Sequence, residues 1–198
     1  RTRTRSNCVS MVRFTAPAAV KNVSILIEDT GTSVNDIWAY TPATKSLRRV
    51  SGSQKQNWFM GTEFTFEDFE DYKLNAYRFT LVGTAEPCLA WSRCSIVDAF
   101  PATPEETGAS GYLKKRYYIE SASLFPVQVE YFERNGQVAK RLVTEGLKKY
   151  GNYTRATAQT MVNVLANRKT RLVNNENLMD SGLGASLFSQ RYLRSEPD

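Results

Sequence analysis

The side chains able to do chemistry in this 198-residue sequence are carboxylates, lysines, tyrosines and three cysteines, because it contains no histidine. Without imidazole no side chain has an ordinary pKa near neutrality, so Ser-His and Cys-His nucleophile pairs are excluded. His-containing zinc sites are excluded too, and three cysteines cannot complete a four-cysteine site. Among the acids, Glu63 with Glu67, or Glu67 with Asp68, have the spacing of a paired acid and base. Acids in such a cluster more often form a solvated face or pair with nearby cations, here Arg48, Arg49 and Lys73. No DxDxDG loop offers a carboxylate metal site. Cys88 and Cys94 are close enough in sequence to bridge a tight hairpin in an oxidising compartment, with Cys8 as the third cysteine. The other reading is three buried strand thiols. These residue types point to binding, with no catalytic residue, metal or cofactor expected.

The elements that must position them read mainly as strands. Apolar residues recur with period two in Met11–Phe14, Ile37–Tyr40, Ser46–Val50, Tyr77–Leu81, Trp91–Val97 and Tyr112–Glu120, and Val23–Ile27 is a near-continuous apolar run. Val127–Glu133 and Val138–Thr144 flank Asn135-Gly136, a dipeptide that predicts a type I′ hairpin. Arg155–Leu165 and Arg168–Val173 turn at Asn167. Segments at roughly ten-residue spacing, without helices between them, predict an antiparallel meander. About ten such strands must curl into a barrel or split into two sheets to bury one face. Two stretches break the pattern: 57–71, read as a short helix plus loop, and Asp98–Gly111, read as an exposed loop because of its prolines and glycines. Leu187–Leu193 predicts a short amphipathic helix, and the chain reads as one domain over 1–198.

Aromatic surface is the other resource, with ten Tyr, ten Phe and three Trp. Phe14, Trp38, Tyr40, Phe79 and Tyr117, if they share one side of the sheet, line either an ordinary core or an apolar cavity. Trp58, Phe59, Met60, Phe64 and Phe66 are costly on a free loop and are expected at the mouth of that cavity, with Trp58 to Phe69 as a movable lid. The net charge of +6 is half due to Arg1, Arg3 and Arg5, which alternate like a strand under way. The remaining excess is mild, and basic runs such as Lys114-Lys-Arg116 and Lys140-Arg141 are expected on the exterior, interleaved with acids. That distribution suits weak attraction to an anionic membrane surface better than tracking of nucleic-acid phosphates.

Read in order, Arg13-Phe-Thr-Ala-Pro17, Ile37-Trp-Ala-Tyr-Thr-Pro42, Arg48-Arg-Val-Ser-Gly-Ser53 and Phe59-Met-Gly-Thr-Glu-Phe-Thr-Phe-Glu-Asp68 resemble the bacterial outer-membrane lipoprotein-sorting family of the LolA/LolB-like superfamily. Gly111-Tyr112, Leu124-Phe-Pro-Val-Gln-Val-Glu-Tyr-Phe132, Asn135-Gly136 and Leu187-Phe-Ser-Gln-Arg-Tyr-Leu193 extend the resemblance over nearly the whole chain. It implies a mainly β fold, a strongly curved antiparallel sheet forming an unclosed half barrel, with a few short helices covering the concave side. It also implies a helix and a further strand ahead of Arg13 that this sequence does not include. Cys88 and Cys94 are not part of the family pattern.

The function implied is a periplasmic carrier or chaperone that holds the acyl chains of lipids or lipoproteins in an apolar cavity. Its partners would be an inner-membrane transporter or an outer-membrane acceptor. Phe14, Trp38, Tyr40, Trp58, Phe59, Met60, Phe64 and Phe66 are the expected cavity and mouth, and Arg13, Arg48 and Arg49 the expected head-group contacts. The alternative from another class is a regulatory or scaffold module that docks a membrane transporter or signalling partner.

Overall fold

The computed structural model of the chain describes residues 8–30, 35–70, 74–88 and 90–195. The alternating arginines at 1, 3 and 5, and Asp71 and Lys73, lie outside these residues. The fold is mainly β, in two antiparallel, unclosed sheets. Strands β1 (Val9–Arg13), β2 (Ser24–Glu28), β3 (Asp36–Thr41) and β4 (Ser46–Val50) form the first, in sequence order. The second contains β5 (Tyr77–Cys88), β6 (Trp91–Pro101), β7 (Lys114–Glu120), β8 (Pro126–Phe132), β9 (Val138–Tyr150), β10 (Tyr153–Asn163) and β11 (Arg168–Val173). It too is a simple meander. Among the described residues helix is confined to short 3-10 turns and two short α segments, α1 (Pro104–Ala109) and α2 (Gln190–Leu193).

Apolar patterning explains both sheets. The continuous run in β2 exists because both faces of the first sheet are covered. Ile25, Ile27, Ile37, Ala39 and Val50 pack against Phe59 and Phe66 on one face. Leu26 and Tyr40 pack against Leu193 of α2 on the other, with Trp38, Leu47 and Phe188 around them. Arg13 fixes α2 there: its guanidinium donates to the carbonyls of Tyr192 at 2.5 Å and Ser195 at 3.0 Å and lies over the Tyr192 ring. The seven-stranded sheet instead alternates. Its inner face carries Ala99, Tyr117, Val129, Tyr131 and Met161 in a buried cluster. The outer face carries a ladder of ion pairs, Asp98 with Lys114 and Arg116, Glu130 with Arg141, and Glu145 with Arg171.

Two local expectations change. Asp98–Gly111 is not an exposed loop: β6 runs to Pro101, and α1 follows with Thr103 capping the backbone N–H of Glu106. Pro104 stands in the first turn, where a missing N–H costs nothing, and Glu106, Ala109 and Ser110 are buried. The Asn135-Gly136 hairpin forms, but only Gly136 is left-handed, with the Asn135 side chain accepting from the backbone of Gln137. A residue offset between Tyr131 and Phe132 absorbs the difference from a two-residue turn.

Burial pushes the Asp98 carboxyl up, but hydrogen bonds and charge from Arg116 and Lys114 outweigh it and hold it below its ordinary 3.8. A carboxyl whose pKa is depressed on folding contributes stability above its unfolded pKa and loses it as the pH falls through the folded value. Asp98→Asn is therefore expected to be less stable than the parent in urea at neutral pH, and the gap should shrink below about pH 4. A gap independent of pH would contradict this assignment.

Candidate functional site

Residues 51–70 leave the first sheet and return as a wedge against the inner face of the second. Ser51 with Gln54 and Thr65 with Asp68 form capping boxes that start two 3-10 turns, Gly52–Gln56 and Phe66–Phe69. Between them the chain folds back on itself: Trp58 bridges Thr65, and the backbone N–H of Phe59 donates to the carbonyl of Phe64. Met60 and Gly61 both take left-handed φ at this reversal, which replaces the helical turn expected from the Met60/Phe64 spacing.

The acids of this wedge are not a solvated face, and their partners are not Arg48 or Arg49. Glu63, Glu67 and Asp68 are buried and meet cations from three strands of the second sheet. Lys140 on β9 lies 2.5 Å from Asp68, and Lys115 on β7 lies 2.9 Å from Glu67. Arg168 on β11 donates its Nε–H to Glu63 at 2.6 Å, and Asn163 donates to the same carboxylate. Lys55 pairs with Glu70 inside the wedge at 2.6 Å. Glu67 also accepts from Ser110 and the backbone of Gly111, and Asp68 from the Tyr112 hydroxyl and the backbone of Thr65. Glu63, Glu67 and Asp68 are thus each paired with a cation and multiply hydrogen-bonded, which leaves none of the three placed as a free acid–base pair.

The surrounding groups respond to this arrangement. Burial depresses the Lys140 pKa, and the adjacent Asp68 only partly restores it. For Lys115 burial also works downwards, but Glu67 and the neighbouring tyrosines outweigh it and hold the ammonium well above its ordinary value. Burial and the Asp68 charge raise the Tyr112 phenol well above its ordinary range, so it stays a donor. The basic runs are therefore not wholly exterior: Lys115 and Lys140 point inwards and only their neighbours point out. Strand parity carried that signal, since Lys115 shares its side with Tyr117 and Ile119.

The structure brings together five of the eight aromatic and Met positions named from sequence. Phe14, Phe59, Met60 and Phe66 belong to the cluster on the first sheet and Phe64 to that on the second. A chain of rings, Phe14–Phe59–Phe69–Phe64, with centroids 5.4, 5.1 and 5.6 Å apart, joins the clusters. Trp38 and Tyr40 are on the opposite face of the first sheet, under α2. They do not share a side with Phe14, because their parity in β3 differs from that of Ile37 and Ala39. Trp58 turns away to a separate pocket of about 450 Å³ that it lines with Tyr112, Lys140, Asn163 and Leu165. Of the three arginines, Arg13 holds α2, Arg48 lies over the Phe66 ring and Arg49 pairs with Asp36. Cys88 and Cys94 are joined in a disulfide across the β5–β6 hairpin.

The wedge does not cover the whole inner face. Register places Leu81, Val97, Tyr117, Val129, Leu142 and Met161 in one row across β5 to β10. Phe79 lies one step towards the wedge; Ile119 and Leu172 lie one step away from it. Tyr117, Val129 and Met161 are buried, but Leu81 is 62% exposed, Phe79 and Leu172 are also exposed, and Ile119 and Leu142 are half-buried. Next to Phe64 and Phe69 they form an apolar strip, exposed on the edge strands β5 and β11 and half-buried between them. Leu81, Ile119, Leu142 and Leu172 were absent from the sequence-based site, although strand alternation gave each of them the inward parity.

Lys140→Met should cost about 3–5 kcal/mol, because it leaves Asp68 buried without its cation. Adding Asp68→Asn should recover part of the loss, since the amide oxygen still accepts from Tyr112 and Thr65. Urea unfolding of both variants checks this, and a Lys140→Met cost below about 1 kcal/mol would mean that the wedge is not pinned by the pair.

Comparison with known proteins places this architecture. A family profile described as "-like: Uncharacterized protein" matches residues 7–195. No curated protein matches. Among solved structures, a domain named for outer membrane lipoprotein sorting from Vibrio parahaemolyticus is 26% identical. It aligns over 96% of this chain and 78% of its own, with a TM-score of 0.87. A DUF1329 family protein from Desulfovibrio piger is 22% identical over 94% of this chain and 77% of its own, with a TM-score of 0.85. A LolA superfamily protein from Nitrosomonas europaea shares the fold at 18% identity and a TM-score of 0.69, over 96% of this chain and 80% of its own. The chain belongs to the family of that profile, and its unclosed antiparallel fold is shared with the outer membrane lipoprotein-sorting domain and the LolA superfamily protein.

Proposed function

We propose that this chain is a periplasmic lipid- or lipoprotein-binding carrier, a single domain over 1–198, that holds acyl chains along the uncovered inner face of its seven-stranded sheet. The observation that carries the reading is the strip itself. Phe79, Leu81 and Leu172 share one face with a buried core yet stay exposed, with Ile119 and Leu142 half-buried between them. Exposed apolar side chains arranged as one surface mark a binding site, whereas scattered ones do not. Each methylene removed from water contributes about 0.8 kcal/mol, so half an acyl chain is held without any covalent step. The named role of the Vibrio parahaemolyticus domain in outer membrane lipoprotein sorting supports the same class of cargo. Phe64 and Phe69 form the wall of the strip, and Phe14, Phe59, Met60 and Phe66 support that wall from behind.

This reading needs no catalytic group, metal or cofactor. It also recasts the wedge: with three strands gripping its acids it is a fixed wall, and cargo enters along the strip instead of under a lid. Titration with a fluorescent fatty acid tests it. Phe79→Ser with Leu81→Ser should weaken binding at least tenfold, while Trp38→Phe, on the far face of the first sheet, should leave it unchanged. Absence of binding, or equal affinity in the double variant, would overturn the reading in favour of a scaffold that docks a protein partner.

A further inference from the structure

Positive charge is distributed unevenly along the chain. Residues 146–175 contain Lys148, Lys149, Arg155, Arg168, Lys169 and Arg171 and no acid, so six positive charges fall in one acid-free stretch. Arg168 and Arg171 are matched by Glu63 and Glu145. Lys148, Lys149 and Arg155 are exposed at the tip of the β9–β10 hairpin, and no carboxylate pairs with them among the described residues. Lys148 faces Arg155 across the ladder, with Tyr150 opposite Tyr153 beyond them. Each cation stands over a tyrosine, Lys148 at 5.2 Å from the Tyr150 ring and Arg155 at 5.6 Å from the Tyr153 ring. Like charges opposite one another destabilise a hairpin, so folding does not account for this arrangement.

The meander puts two other hairpin tips at the same end. The backbone N–H of Ser121, in the β7–β8 turn, donates to the carbonyl of Arg93 at the start of β6. Leu147 packs with Val127, Trp91 and the Cys88–Cys94 disulfide, which ties all three hairpins into one block. Leu124, in the β7–β8 turn, is 75% exposed and takes left-handed φ, a conformation uncommon for a side chain of its size. Leu178 reaches the same end, since Asn177 donates to the Tyr150 hydroxyl, and it is also exposed. Carboxylates near this end include Glu86, Glu120, Glu176 and Asp180, and Glu120 is turned onto the backbone N–H groups of Ala122 and Ser123.

We infer that this end of the seven-stranded sheet docks on a bilayer surface bearing anionic phospholipid head groups. Tyrosines that are apolar at the ring and polar at the tip suit the head-group level, and projecting leucines suit the acyl boundary beneath. Unmatched lysines and arginines near such a surface each contribute about 1 kcal/mol. The apolar strip lies between the wedge and this end, with Ile119 two residues before Ser121 of the β7–β8 turn, so docking puts the strip on the membrane side of the wedge. The docking surface stands without the cargo reading, because none of its residues lines the strip.

Co-sedimentation of the full chain with vesicles tests the inference. Binding is expected to vesicles of phosphatidylglycerol with phosphatidylcholine, to weaken with salt, and to be nearly absent from pure phosphatidylcholine. Lys148→Glu with Lys149→Glu should weaken it at least about 30-fold while fatty-acid titration stays as in the parent. Leu124→Ser should weaken it less and leave the salt dependence in place. Phe79→Ser with Leu81→Ser should bind vesicles normally even where it loses fatty acid, so failure of one reading is told apart from failure of the other. If the lysine variant proves unfolded by circular dichroism, Arg155→Glu carries the test alone, with about a fivefold or larger loss expected. Equal binding to neutral vesicles, no binding by the parent, or no loss in the charge-reversed variant would overturn the inference.

Discussion

The structure depends on a row of ion pairs whose carboxylates are buried. Glu63, Glu67 and Asp68 project from one short wedge and are met by Arg168, Lys115 and Lys140 from three different strands of the seven-stranded sheet. Charges removed from water are tolerated only when paired and hydrogen-bonded, so the wedge has essentially one seat. That seat presses Phe64 and Phe69 onto one part of the inner face and holds Phe59 and Phe66 against the first sheet. The two sheets are thereby joined through a chain of aromatic rings. An apolar wedge of similar volume could pack as tightly, but nothing in it would fix where along an apolar face it came to rest. The ion pairs supply that register.

From this constraint the open strip follows. An antiparallel sheet of seven strands that does not close must hide its apolar face some other way. Here the wedge and α1 hide one end of it, and the polar ladder built on Asp98, Glu130 and Glu145 keeps the other face wet. What remains partly uncovered is a strip with Phe79, Leu81 and Leu172 exposed and Ile119 and Leu142 half-buried, beside the rings of Phe64 and Phe69. A rigid wall beside an open trough reduces the ordering cost of binding a flexible chain. It also separates the strip from the Trp58 pocket, which is lined by Lys140 of the Lys140–Asp68 pair.

Much of the fold was legible in the sequence because strand period and turn residues are local signals. Asn167, Asn135-Gly136 and the alternation in Tyr77–Leu81 each marked an element the structure contains. The faces were harder to read. Trp38 and Tyr40 looked like neighbours of Phe14, but in β3 they stand on the side covered by α2, and that helix lies about 150 residues further along the chain. The acidic wedge was misread for the same reason. Its partners are 48 to 105 residues away from the acids they meet, as pairing of Lys115 with Glu67 and Arg168 with Glu63 shows, whereas sequence reasoning sees only Arg48, Arg49 and Lys73 close by. Parity within β7 and β9 did hold the missing information, since it placed Lys115 and Lys140 among inward-facing residues.

The central claim is that acyl chains lie on the strip the wedge leaves open. The most direct measurement is photocrosslinking with a fatty acid that carries a diazirine along its chain, followed by peptide mass spectrometry. Labels on Phe79, Leu81, Ile119, Leu142 and Leu172 are the predicted result. Labelling confined to the Trp58, Tyr112 and Leu165 pocket, or to Trp38 and Tyr40 beneath α2, would contradict it.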